Sequence, residues 1–211
     1  MRFKEFISKH QIPLDILNFT KNKKVRAINK AHRSGDLVFN IGNEYILKIS
    51  TSFDRLDRER KANDLLKDYL PVSRSIAFIS DNKYTYYLKT RLKGVPLTEK
   101  LHDPLLLIKY LKEAITLFHN VDTTKLVNVL PNNDTTLIHG DFCLPNILVN
   151  NNKISGFIDV EAVAIDDPWI DYSWAIWSLE YNLGTNEYTP LLLKELNIEF
   201  NQEKYDKYTK M

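Results

Sequence analysis

Three polar residues in the middle of the chain have the types and spacing that phosphoryl transfer requires. The segment 137–149 reads LIHGDFCLPNILV, so Asp141 follows a histidine by two residues and precedes Asn146 by five. A second carboxylate, Asp159, ends the apolar run ISGFID eighteen residues after Asp141. Isolated Asp and Asn residues are usually turn or cap residues. Here the spaced set surrounds a strand-loop-strand pattern, which favours a functional site.

Each of these side chains suits one task in such a reaction. Because the transition state is loose and spreads charge over phosphoryl oxygens, catalysis consists mostly of positioning and charge stabilisation. Asp141 could orient an attacking hydroxyl and take its proton. Asn146 and Asp159 offer the hard oxygen ligands that Mg²⁺ prefers. Two strands at 146–149 and 153–158 would form a hairpin that brings the two ligands to the same end.

The elements on either side of this segment predict two lobes of different composition. In residues 1–92, apolar runs at 36–41, 44–49, 73–79 and 84–92 predict strands around one helix at 54–69, which is a small α+β lobe. After a joint at Lys93–Pro96 the pattern becomes helical, with apolar residues spaced along one face at 107–118 and a helix start at Asp167-Pro168. We therefore predict an α+β chain with an N-terminal lobe at 1–92 and a C-terminal lobe at 93–211.

The composition excludes several classes of protein. The 211 residues are 44% hydrophobic and 27% charged, which is ordinary for a globular protein. The net charge of +2, with scattered Lys residues, gives no nucleic-acid-binding signature, and no apolar run is long enough to span a membrane. The single cysteine, Cys143, cannot form an internal disulfide, and no secretory leader is visible. These features predict a cytoplasmic protein, and they leave its oligomeric state open.

Three segments together carry a resemblance to a known family. HGDFCLPNILV, SGFIDVE and DPWIDYSWAI resemble the phosphotransferase family that includes aminoglycoside, choline and thiamine kinases. Residues 137–183 look most similar to aminoglycoside 3'-phosphotransferases, and a weaker match covers most of the chain. The resemblance implies a two-lobed, protein-kinase-like fold and an enzyme that uses ATP or GTP with Mg²⁺. It also implies that Asp171 braces the catalytic loop.

The resemblance extends to the N-terminal lobe, where it implies a set of nucleotide-binding residues. Lys48, in the apolar strand YILKI, would bind the phosphates, and Glu59 on the next helix would pair with it. Ser34, in the segment SGD, would belong to a loop that covers the phosphates. The backbone at 90–93, including Thr90 and Leu92, would hold the base.

The acceptor is less well specified than the reaction. Trp177 and Tyr181 stand where charged drug-binding residues would be expected, and Val160-Glu161-Ala162 lacks the family's arginine. With Trp174, these aromatic residues recur at helical spacing and form either core or a substrate wall. We expect phosphorylation of a hydroxyl on a small molecule and favour an aminoglycoside-type antibiotic as that molecule. A kinase for choline, thiamine or a sugar, or a nucleotide-binding module without catalysis, remains an alternative, since fold does not determine substrate.

Overall fold

The computed structural model describes residues 3–10, 12–28 and 36–210, which divide into two compact units. The first unit comprises Met1–Lys67 and Ser73–Leu92, and the second comprises Asp68–Val72 and Lys93–Met211. The short segment 68–72 is bonded within the second unit, where the Phe157 N–H donates to the Pro71 carbonyl over 3.0 Å. The chain therefore enters the second unit briefly before it completes the sheet of the first.

The first unit is a five-stranded antiparallel sheet with three helices. Its strands follow the order β1-β2-β3-β5-β4. The elements in chain order are α1 (Phe3–Lys9), α2 (Leu14–Thr20), β1 (Val25–Ala27), β2 (Leu37–Ile41), β3 (Tyr45–Ser50), α3 (Phe53–Leu66), β4 (Ser75–Ser80) and β5 (Thr85–Thr90).

The two faces of this sheet differ in character because successive side chains of a strand point to opposite sides. Leu47, Ile49 and Leu88 lie on one face and form a core with Phe6 of α1 and Ile16 of α2. The other face carries the side chains that alternate with these, and α3 packs against it. Lys48, Tyr87 and Lys89 lie on this α3 side of the sheet.

Two helices of this unit were not predicted. The sequence pattern indicated strands and one helix, but α1 and α2 precede the sheet. Each is only seven residues long, so neither presents enough turns for a clear helical period. They form because Phe3, Phe6 and Ile16 are buried against the sheet, and tertiary packing supplies most of the stability of short helices.

The second unit is mainly helical, with two small sheets. Its strands pair in the orders β6-β8-β9 and β10-β7. The elements are β6 (Val95–Pro96), α4 (Pro104–His119), β7 (Thr136–Ile138), β8 (Ile147–Asn150), β9 (Lys153–Phe157), β10 (Ala164–Asp166), α5 (Trp169–Leu183), α6 (Thr189–Leu196) and α7 (Gln202–Thr209). The short strands β7 and β10 lie in segments where no strand was predicted.

Helix α4 is the centre of the core of the second unit. Leu107, Leu111, Ala114 and Phe118 are buried along one side of it, as the spacing of apolar residues predicts. The ring of Phe118 packs edge-on against Phe157, with ring centroids 5.1 Å apart. Among the described residues, no helix is both long enough and apolar enough to cross a membrane.

Candidate active site

The predicted hairpin is present and places two of the site residues at one end. Strands β8 and β9 pair antiparallel with Ile147 opposite Phe157. One residue further on, the Ile158 N–H donates to the Asn146 carbonyl over 3.0 Å. Asn146 and Asp159 therefore flank the same end of the hairpin, although 13 residues separate them in the chain.

A pair of hydrogen bonds ties Asn146 to Asp141. The Asn146 Nδ2 atom donates to the Asp141 backbone carbonyl over 3.0 Å and to its Oδ2 atom over 2.9 Å. Asn146 is buried, whereas Asp141 is half-buried and can meet a solute. Because the amide nitrogen is bonded to Asp141, the side-chain carbonyl oxygen is the atom that Asn146 could offer to a cation.

The backbone of the loop before Asp141 is held by Asp171, which is fully buried on α5. Its Oδ2 atom accepts from the His139 N–H and its Oδ1 atom from the Gly140 N–H, each over 2.9 Å. The His119 Nε2 atom lies 3.0 Å from Asp171 Oδ2, so this carboxylate meets three polar groups. His119 is the last residue of α4. The structure adds a specific bond to the residue that braces the loop.

His139 and Gly140 complete this bracing. The Asp141 N–H donates to His139 Nδ1 over 3.3 Å, and the His139 Nε2 atom lies 3.1 Å from the Ile158 carbonyl. The ring therefore links the loop that carries Asp141 to the end of the hairpin. Gly140 has φ +80°, and a Cβ there would lie 2.5 Å from the Ala162 carbonyl oxygen. Any other residue would displace the loop.

The residues after the hairpin bring a second carboxylate near Asp159. Asp159 has φ +59°, a left-handed conformation that turns the chain sharply after β9. Carboxylate oxygens of Asp159 and Glu161 come within 4.8 Å of each other. In the sequence, Glu161 stood out only as part of a segment that lacks the family's arginine. Its spacing of two from Asp159 was the signal that could have marked it as a further oxygen ligand.

In the first unit, Lys48 and Glu59 form the expected ion pair. The Lys48 Nζ atom donates to Glu59 Oε2 over 2.7 Å, and both residues are buried. Lys89 of β5 donates to the other oxygen, Glu59 Oε1. One buried carboxylate is therefore shared by two buried ammonium groups.

Lys89 was missed by sequence analysis, and the sheet register explains its position. Lys48 lies opposite Tyr87 in the pairing of β3 with β5, so Lys89, two residues later, points to the same face. Burial raises the pKa of the intervening Tyr87 hydroxyl to about 12. This neutral hydroxyl accepts from Asn63 Nδ2 over 3.2 Å and lies 3.0 Å from the Ser75 hydroxyl. A lysine at alternate spacing in an otherwise apolar strand was the available signal.

The structure gives less information about the other residues predicted to bind the nucleotide. The Thr90 N–H donates to the Arg74 carbonyl over 2.9 Å, and Thr90 Oγ1 accepts from the Arg74 N–H over 2.8 Å. The Thr90 N–H therefore serves the sheet and is not available to a base. Leu92 is half-buried at the end of the first unit. Ser34 lies outside the described residues.

The chain is similar in sequence to known proteins. Residues 124–208 match the model of the Phosphotransferase enzyme family. A Lactococcus lactis protein named "Probable aminoglycoside 3'-phosphotransferase" is 26% identical, over 86% of this chain and 86% of that protein. An Enterococcus faecalis protein named aminoglycoside 3'-phosphotransferase is 25% identical, over 75% of this chain and 78% of its own length.

The same relationship is seen in the fold. The structure of a Streptomyces rimosus aminoglycoside phosphotransferase covers 99% of this chain and 97% of its own, with a TM-score of 0.74 at 14% identity. That enzyme has also been solved with ADP and streptomycin. The predicted resemblance and the kinase-like α+β fold are thus confirmed: in sequence the chain is similar to aminoglycoside 3'-phosphotransferases, and in fold it is similar to an aminoglycoside phosphotransferase.

Proposed function

We propose that this protein transfers the γ-phosphoryl group of ATP or GTP to a hydroxyl of an aminoglycoside antibiotic. The observation that carries the proposal is the arrangement of the catalytic loop, in which Asn146 and the buried Asp171 hold Asp141 in place while leaving it half-buried. A carboxylate fixed in this way can orient a substrate hydroxyl without paying for its own ordering at the moment of reaction.

In the proposed reaction, Asp141 accepts a hydrogen bond from the acceptor hydroxyl. As the acceptor oxygen forms its bond to the γ-phosphorus, the bond to the β-phosphate oxygen breaks and the hydroxyl proton passes to Asp141. The products are the phosphorylated acceptor and a nucleoside diphosphate. His139 positions the loop through its two bonds, and Asp141 is the group that takes the proton.

The oxygen ligands of the second unit fit a magnesium ion. Asn146 and Asp159 would hold it, and Glu161 would add a further carboxylate oxygen. When bound, the ion neutralises charge on the transferring phosphate. In the first unit, Lys48 would bind the phosphates and Glu59 would hold its ammonium group in place. The backbone near Thr90 and Leu92 would bind the base, and Ser34 would belong to the loop over the phosphates.

The charge of the site segment supports a cationic acceptor. Residues 139–183 contain seven Asp and Glu residues and a single Lys, whereas the whole chain has a net charge of +2. Aminoglycosides carry several ammonium groups, so this concentration of negative charge favours their approach. The names of the Lactococcus and Enterococcus relatives agree with this acceptor class.

The test is resistance of a sensitive bacterium that expresses the protein. We expect growth on at least one aminoglycoside with the parent and none with Asp141→Asn, together with acceptor-dependent ADP or GDP release by the purified protein. Turnover of choline, thiamine or a sugar with no resistance would instead establish a metabolite kinase. Nucleotide binding with no turnover of any acceptor would contradict an enzymatic function.

A further inference from the structure

Three aromatic side chains form a continuous stripe along α5 that the catalytic machinery does not use. The rings of Trp174 and Trp177 meet edge to face, with centroids 5.6 Å apart and planes at 80°. Trp177 and Tyr181 are stacked, with centroids 5.1 Å apart and planes at 11°. We call these three residues the aromatic stripe. Tyr181, at its end, is 70% exposed, whereas the two tryptophans are half-buried.

The aromatic stripe adjoins the side of α5 that holds the catalytic loop. On that side the Ser178 hydroxyl accepts from the Leu144 N–H over 3.0 Å, and Asp171 accepts from the loop before Asp141. Trp174 precedes Ser178 by four residues and Tyr181 follows it by three, so both are its neighbours on the helix surface. The stripe therefore lies next to the face of α5 that is bonded to the catalytic loop.

Glu180, the acidic residue that precedes Tyr181 on α5, faces a different part of the unit. Glu180 accepts from the Thr189 hydroxyl over 2.7 Å and from the Tyr205 hydroxyl over 3.4 Å. Its carboxylate therefore joins α5 to the helices that follow. Beside the catalytic loop, α5 presents aromatic rings.

We infer that the aromatic stripe binds the acceptor and selects a saturated ring that carries ammonium groups. The flat faces of Trp177 and Tyr181 can cover the C–H face of such a ring, and their π-electrons attract an adjacent ammonium group. This inference rests on the proposed function and specifies how its acceptor is held, by stacking and cation–π contacts in place of paired carboxylates.

The experiment measures acceptor binding and turnover in variants of the stripe. Trp177→Leu and Tyr181→Leu remove a ring, Tyr181→Phe keeps it, and Phe53→Leu removes an exposed aromatic ring of the first unit as a matched control. The probes are kanamycin and streptomycin. We expect Trp177→Leu and Tyr181→Leu each to raise the KM of the acceptor about tenfold. The kcat and the KM for nucleotide should stay within twofold of the parent, as should every parameter of Tyr181→Phe and Phe53→Leu.

A binding measurement separates failure of this inference from failure of the proposed function. Calorimetric titration of kanamycin into Asp141→Asn, with and without Trp177→Leu, reports binding without turnover. If the parent turns over kanamycin and loss of either ring leaves its KM unchanged, the inference is wrong and the proposed function stands. If kanamycin binds in a Trp177-dependent way but is never phosphorylated, the stripe is a binding surface and the proposed function is wrong. If neither antibiotic binds, or only choline binds, the assignment of the stripe to aminoglycosides is overturned.

Discussion

The two units hold their candidate functional residues by different physical means. In the first unit, Glu59 is buried with Lys48 and Lys89, and the side chains hold one another. In the second unit, Asp141 is half-buried on a loop, and side chains from elsewhere hold the backbone of that loop. A buried ion cluster makes charge part of the stability of the fold. A braced loop leaves its carboxylate ready to react. Substitutions should therefore lower stability in the first case and turnover in the second.

The largest expected effect is on turnover, from Asp141→Asn. The substitution keeps the size of the side chain but removes the charge that accepts the acceptor proton, so we expect kcat to fall about a thousandfold or more. The midpoint of urea unfolding and the Kd for the magnesium nucleotide should stay close to those of the parent. The exposed Glu187→Gln serves as the charge-matched control. Unfolding at clearly lower urea would show that Asp141 has a structural role, against the comparison drawn above.

In the first unit, Glu59→Ala should mainly cost stability. It leaves two buried ammonium groups without their shared carboxylate, and breaking a buried pair in this way typically costs about 3–5 kcal/mol. Urea unfolding followed by circular dichroism measures the loss. A triple variant, Glu59→Leu with Lys48→Met and Lys89→Met, should recover most of the stability but bind nucleotide weakly. A fully stable Glu59→Ala protein would show that the cluster does not support the fold.

Asp171→Asn tests the bracing of the loop. We expect it to lower both the free energy of unfolding and kcat, by amounts between those of the preceding and the following variants. One of its oxygens becomes an NH₂ group, so either the His139 N–H or the Gly140 N–H loses its charged acceptor, at about 2–3 kcal/mol. Because the loop carries Asp141, kcat should fall while the KM for nucleotide changes little. Steady-state kinetics and unfolding of the same preparation measure the two effects. Loss of stability with parental kcat would mean that Asp171 supports the fold alone.

Lys89→Met should have a smaller effect and leave the free energy of unfolding within about 1 kcal/mol of the parent. Glu59 keeps Lys48 as a partner, and a linear apolar chain replaces the lysine side chain. Unfolding compared directly with Glu59→Ala measures the asymmetry. The Kd for nucleotide should change less in Lys89→Met than in Lys48→Met. The reverse order would make Lys89 the principal phosphate ligand of the unit.

The smallest expected effect concerns pH and Asp167, which joins the start of α5 to α7. Burial raises the pKa of this carboxyl, but hydrogen bonds from Lys204, the Trp169 N–H and the Tyr208 hydroxyl outweigh it and hold the pKa below its usual value. A lowered pKa in the folded state stabilises the protein above the unfolded value, about 4, and this stability disappears as the pH falls through the folded value. Asp167→Asn should therefore cost about 1 kcal/mol at pH 7 and less at pH 3, in urea unfolding at both. A cost that does not depend on pH would exclude this linkage.

Local sequence patterns were sufficient to predict those parts of the structure that depend on residues close together in the chain. The strands predicted at 146–149 and 153–158 imply a hairpin that brings Asn146 and Asp159 to the same end, and β8 and β9 form it. The strands at 36–49 and 84–92 and the helix at 107–118 were predicted within a few residues, because alternation and helical spacing are properties of each segment alone. The pairing of Lys48 with Glu59 and the brace at Asp171 came from resemblance to a family.

Only the tertiary structure decided which distant residues share a partner. Lys89 joins Glu59 because β5 pairs with β3 in one particular register, and His119 reaches Asp171 across 52 residues of chain. The helices α1 and α2 exist because a sheet completed later in the chain buries their aromatic and aliphatic side chains. Trp174, Trp177 and Tyr181 were open to two interpretations in the sequence, since helical spacing gives their common face but not its neighbours. Their position beside the catalytic loop depends on contacts of Ser178 and Asp171, which form only when segments far apart in sequence fold together.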